Sequence, residues 1–122
     1  MNSDSRDLVV VITRGTDHEL SSAALVIALG GITAGLQVSL FLTSSGVDLV
    51  RRGAADLTHV KPLDPLADML REFMSRGETV WACPPCVKSR GYAQAHLLDG
   101  VVIAGASVMH ERIKRGAATL SF

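Results

Sequence analysis

Net charge is missing from this sequence: 12 Lys+Arg offset 12 Asp+Glu over 122 residues. A protein held to nucleic acid through phosphates carries a basic excess or stripe, so the balance speaks against that class of partner. Aromatic residues are scarce too. One Trp, one Tyr and three Phe leave few to spare for a base-stacking surface. Two cysteines are too few for the disulfide scaffold of a small secreted domain. The polar start Met1 to Asp7 offers no secretory leader, and the apolar run Leu8 to Ile12 is too short to be one. Proline is absent after Pro85. The expectation is one cytoplasmic domain over residues 1–122 with an aliphatic core, since 48% of the residues are hydrophobic but only 4% aromatic.

One stretch calls for a membrane test. Leu20 to Val47 contains no charged side chain, long enough to span a bilayer. It also contains Gly30-Gly31, Gly35 and Gln37, and Gly35 divides it into two differently patterned pieces. A buried helix followed by a buried strand fits this pattern better, and no membrane partner is expected. So much apolar surface in a small domain also predicts that part of the stretch lies at a subunit interface.

The β-branched run Leu8-Val9-Val10-Val11-Ile12 predicts a strand covered on both faces. Thr16-Asp17-His18-Glu19 has the form of a capping box, with Thr16 as N-cap, opening a helix that stops at Gly35. Val38 to Leu42 predicts a second strand, followed by Thr43-Ser44-Ser45-Gly46 and a short helix over Val47 to Arg51. Asp64 as cap and Pro65 at the first helical position open a helix whose apolar residues Leu66, Met69, Leu70 and Phe73 share one face. Thr79 to Ala82, a segment centred on Val101-Val102-Ile103, and Ala118 to Phe122 predict three more strands. Ser107 is expected to cap the last helix. Strands alternating with helices in this way imply an α/β fold with a mostly parallel five-stranded sheet and helices on both faces. In such sheets chemistry gathers beyond the carboxyl ends of the strands, where this sequence places Arg14, Thr43-Ser44-Ser45, Cys83 and Ser107.

The two cysteines stand at one of those ends, in Trp81-Ala82-Cys83-Pro84-Pro85-Cys86-Val87-Lys88-Ser89-Arg90-Gly91. The prolines fix φ and start a helix where missing N–H groups cost nothing. A thiol at a helix N-terminus is favoured as thiolate, and Lys88 and Arg90 add positive potential. A thiolate attacks sulfur donors and disulfides, which makes Cys83 and Cys86 the candidate catalytic pair. The competing reading is two buried structural thiols. Zinc is disfavoured because His96 and His110 give no familiar ligand spacing with only two cysteines, so neither a metal nor a cofactor is expected. A thioredoxin-like oxidoreductase shares the motif chemistry. It places its pair early in the domain and needs a downstream proline, which this sequence lacks.

The strand–Cys-x-x-Cys–x3–Arg-Gly pattern of Cys83 to Gly91 resembles the DsrE/DsrF-like family of small sulfur-relay proteins. Leu97-Leu98-Asp99-Gly100-Val101, the chain end Ala118 to Phe122, the Ala-rich first helix and the Phe41-Leu42 strand resemble it as well. The resemblance implies a three-layer α/β/α fold, homotrimers or homohexamers, and a cysteine that carries sulfane sulfur as a persulfide. It places the carrier at Cys83, with Cys86 as the auxiliary thiol. It also implies donor and acceptor proteins, or small persulfides, as partners. Pro84-Pro85 departs from the family's small residues between the cysteines. Two readings therefore stand beside sulfur relay: dithiol–disulfide oxidoreduction by Cys83 and Cys86, and a non-catalytic assembly subunit.

Around the pair, Arg14 is the candidate contact for an anionic donor, with solvation as its ordinary explanation. Ser44, Ser45 and Ser107 are candidate hydrogen-bond donors to a sulfur anion, though turns and caps account for each of them. His18 and His110 are weaker candidates for proton transfer. Arg51-Arg52 and Arg112, Lys114, Arg115 are expected to be solvated helix ends, and Trp81 to pack in the core.

Overall fold

In the computed structural model, which describes residues 6–122, the first apolar run forms β1 (Asp7–Ile12). The leaderless reading of Met1 to Ser5 lies outside the described residues. Val9 and Val10 are both fully buried although successive strand side chains point to opposite faces, so β1 is covered on both sides. Helix α1 (Glu19–Thr33) leads to β2 (Gln37–Leu42), and a 3-10 helix (Ser44–Val50) and a long loop lead to α2 (Leu66–Arg76). Then follow β3 (Val80–Ala82), α3 (Pro84–Ser89), β4 (Val101–Ile103), α4 (Ser107–Lys114) and β5 (Ala118–Ser121).

The sheet runs β4-β3-β2-β1-β5 and every pairing is parallel, which sharpens the mostly parallel expectation. On one face Leu8, Val10, Ile12, Leu40 and Leu42 pack with Leu25, Ala28, Leu70 and Phe73 of α1 and α2. On the other, Val9, Phe41 and Trp81 lie beneath Val108 and Met109 of α4. The result is the expected three-layer α/β/α arrangement, with all strand carboxyl ends on one edge.

Several local readings change. Thr16 does not cap α1. The Ser21 hydroxyl donates to the Arg14 and Gly15 carbonyls, and Thr58 reaches across to the Thr16 carbonyl. The chain therefore turns before the helix begins, and His18 is the cap, its Nδ1 accepting from the Leu20 N–H at 3.1 Å. Pro65, not Asp64, holds the cap position of α2, where no side chain caps the helix. Ala106 rather than Ser107 holds that of α4, again without a side-chain cap. The short helix expected from Val47 begins earlier, at Ser44. Arg112 is not a free helix end: its guanidinium lies 5.2 Å from the Trp81 ring centroid and 3.5 Å from the Ser39 hydroxyl, fastening α4 to the sheet.

Gly35 adopts φ +96° and closes α1 as expected. The charge-free stretch divides between α1 and β2, and no helix among the described residues is long and apolar enough to cross a membrane. Part of it stays uncovered in this chain: Leu20, Val26 and Ile27 on α1 are 38–40% exposed.

Candidate functional site

The site is built where β2 and β3 end side by side. Leu42 pairs in register with Ala82, and the Cys83 N–H donates to the Leu42 carbonyl at 2.9 Å. The next residues of the two strands, Thr43 and Cys83, therefore leave the sheet as neighbours. Cys83 is the N-cap of α3, and Pro84-Pro85 begin that helix with φ already fixed. One turn of helix brings Cys86 back over the β2 exit.

There the Cys86 sulfur has three hydrogen-bonding neighbours. The Ser44 N–H donates to its sulfur at 3.1 Å, the Thr43 hydroxyl lies 3.5 Å away, and the Cys83 sulfur is at 3.1 Å. Ser44 is held at φ +53°, a left-handed conformation costing a non-glycine residue roughly 1–2 kcal/mol. Its neighbour Gly46 makes this turn possible, because a Cβ there would collide with the Ile12 carbonyl. Burial raises the Cys86 thiol, but the hydrogen bonds from Thr43, Cys83 and the Ser44 amide and the charge of Arg90 outweigh it. The net effect is a pKa below that of an ordinary thiol.

Arg90 is itself positioned. It donates to the Cys86 carbonyl at 3.2 Å and to the Ser45 hydroxyl at 3.5 Å, and it pairs with Asp48 at 3.3 Å. Asp48 accepts a 2.6 Å hydrogen bond from the Tyr92 hydroxyl, and Arg51 lies over the Tyr92 ring. That hydrogen bond, then burial and the Asp48 charge, push the Tyr92 hydroxyl up.

Of the residues singled out in the sequence, Cys83, Cys86, Ser44, Ser45 and Arg90 come together. Ser44 acts through its backbone N–H, not the hydroxyl expected of it. Both cysteines are free and partly buried, packed against the core. Arg14 stands on an open cleft of about 420 Å³ with Thr13, His18, Ser44 and Ser45. Its guanidinium pairs with no carboxylate among the described residues. Lys88 and Ser107 are exposed, and neither bonds to a sulfur among the described residues. His18 is occupied as a cap, and His110 lies exposed on α4. Sequence reasoning placed Thr43 on this edge without choosing it as a contact to sulfur, and missed Asp48 and Tyr92. Thr43 was signalled by its place at a strand end. Asp48 and Tyr92 gave no local signal, since each finds its partner more than forty positions away. No cluster of metal-ligating side chains occurs among the described residues. A separate cavity of about 180 Å³ between Leu49, Leu70, Met74 and Leu98 touches neither cysteine.

Known proteins share this arrangement of elements. The ychN protein from E. coli superposes with a TM-score of 0.77 at 21% identity, covering 98% of this chain and 100% of that one. A protein of unknown function from Methanobacterium thermoautotrophicum gives 0.72 at 22% identity, with 98% and 100% covered. At those identities the likeness is one of fold. In sequence, an uncharacterized protein of Methanopyrus kandleri is 29% identical over 105 residues, 86% of this chain and 81% of that protein. Another, from Methanocaldococcus jannaschii, is 28% identical over 101 residues, and the match spans 82% of this chain but only 37% of that longer protein. Residues 6–122 match the model of the DsrE/DsrF-like family, and the chain belongs to it.

Proposed function

We propose that this protein carries sulfane sulfur as a cysteine persulfide on the Cys83–Cys86 pair, taking it from one partner and passing it to another. The supporting observation is the pair itself: two half-buried free thiols 3.1 Å apart, one held by hydrogen-bond donors that favour its anion. The family membership of the chain supports the same chemistry. Arg14, on the open cleft beside Ser44, is the contact for an anionic donor, and Lys88, Ser45 and Ser107 complete the polar surroundings of the edge. The working form is a homo-oligomer, a trimer or hexamer, in the cytoplasm. The apolar residues Leu20, Val26 and Ile27 left exposed on α1 favour such an assembly.

The test is intact-mass spectrometry after incubation with a small hydropersulfide. A gain of one sulfur atom on the wild type, absent when both cysteines are serine, is expected. No gain on the wild type removes the proposal.

The short distance between the sulfurs also favours a second reading, a dithiol–disulfide oxidoreductase. That activity requires a reversible Cys83–Cys86 disulfide and turnover with a dithiol reductant, neither of which a sulfur carrier needs. Resistance of both thiols to alkylation in the native state would instead point to a non-catalytic assembly subunit.

A further inference from the structure

The family resemblance assigns the reactive sulfur to Cys83, but the donors of the folded chain converge on Cys86. The Ser44 amide and the Thr43 hydroxyl both reach the Cys86 sulfur, at 3.1 and 3.5 Å. Among the described residues, the sulfur of Cys83 has a single hydrogen-bond partner, which is Cys86. When Cys86 is ionised, the Cys83 S–H is a third donor to it. Arg90 stands nearby, its guanidinium fixed on the Cys86 carbonyl, Ser45 and Asp48. Hydrogen bonds to a charged group are roughly twice as strong as those between neutral groups, so converging donors select the anion.

We infer that Cys86, not Cys83, is the nucleophile that attacks the sulfane-sulfur donor, with the Ser44 amide and Thr43 hydroxyl cradling its anion. This inference rests on the persulfide reading above. In the step, the Cys86 thiolate attacks the outer sulfur of a hydropersulfide R–S–SH. A new S–S bond forms to Cys86, the R–S–SH bond breaks, and RS⁻ leaves with the electron pair. The outer sulfur keeps its proton, giving Cys86–S–SH, and the exchange is redox-neutral. Cys83 stabilises the attacking anion before the step and stands next to the new persulfide after it. The left-handed backbone of Ser44 turns its N–H toward the sulfur.

A sub-stoichiometric pulse of iodoacetamide at neutral pH on the wild type, mapped by tandem mass spectrometry, reads which thiol is ionised. Incubating wild type, Cys83→Ser and Cys86→Ser with cysteine hydropersulfide then reads which thiol takes sulfur. Cys86 is expected to label first. Cys83→Ser is expected to keep a one-sulfur gain, and Cys86→Ser to lose about tenfold in its rate. Labelling at Cys83 first, or sulfur uptake kept by Cys86→Ser and lost by Cys83→Ser, overturns the inference. A wild type that labels at Cys86 first yet gains no sulfur overturns the carrier reading and supports the thiolate assignment. The labelling order needs no variant, so a Cys86→Ser chain that fails to fold leaves the test standing.

Discussion

The backbone N–H of Ser44 points at the Cys86 sulfur from 3.1 Å, although 42 positions separate the two residues. Parallel pairing of β2 with β3 brings them together, because it ends both strands at one level. The contact uses the amide and leaves the serine hydroxyl out, and the first prediction follows from that.

Ser44→Gly keeps the N–H and accepts φ +53° without strain. Its iodoacetamide rate is expected to stay within about twofold of wild type. Stability by urea denaturation is expected to shift by less than about 1 kcal/mol, since relief of strain opposes greater chain entropy. A large loss of thiol reactivity would assign the contact to the hydroxyl.

Thr43→Val removes one donor from Cys86 at nearly constant volume. The thiol is expected to move back toward its ordinary range near ~8.5, and alkylation at neutral pH to slow several-fold. The pH–rate profile of labelling measures both. In the wild type the lowered thiol also couples stability to pH. Its contribution is complete above the unfolded thiol pKa and disappears as pH falls through the lower folded value. Thermal melts of wild type against Cys86→Ala are therefore expected to separate further on the alkaline side.

Tyr92→Phe deletes the 2.6 Å hydrogen bond to Asp48 and so loosens the carboxylate that holds Arg90. A loss of about 1–3 kcal/mol at neutral pH is expected by chemical denaturation. Because the Asp48 bond raises the Tyr92 hydroxyl, its stabilisation is complete below the unfolded tyrosine pKa near ~10 and is lost as pH rises through the higher folded value. The gap between wild type and variant is expected to close in strongly alkaline solution.

Arg112→Ala removes the guanidinium from the Trp81 ring and from the buried Ser39 hydroxyl. A destabilisation of about 1–3 kcal/mol and a red shift of Trp81 fluorescence are expected, because α4 loses its polar fastening to the sheet. Arg112→Lys is expected to fall between, since an ammonium lacks the planar face.

Strand positions were legible from β-branched runs, and the cysteine pair from its place after Trp81-Ala82, because those signals are local. Helix starts were less so. Thr16 has the sequence of a capping residue, but Ser21 and Thr58 take the neighbouring carbonyls and shift the cap to His18. Arg112 resembles a solvated helix end, and only the sheet beneath α4 gives it its partners Trp81 and Ser39.

By itself, the sequence determined a neutral aliphatic α/β chain with its two thiols at the carboxyl end of a strand, since hydropathy period and turn residues act over a few positions. Tertiary structure decided what surrounds Cys86. Thr43 and Ser44 lie on another strand's exit, and Arg90 is held by Asp48, so the electrostatics of Cys86 come from residues that only the parallel register brings within hydrogen-bonding distance.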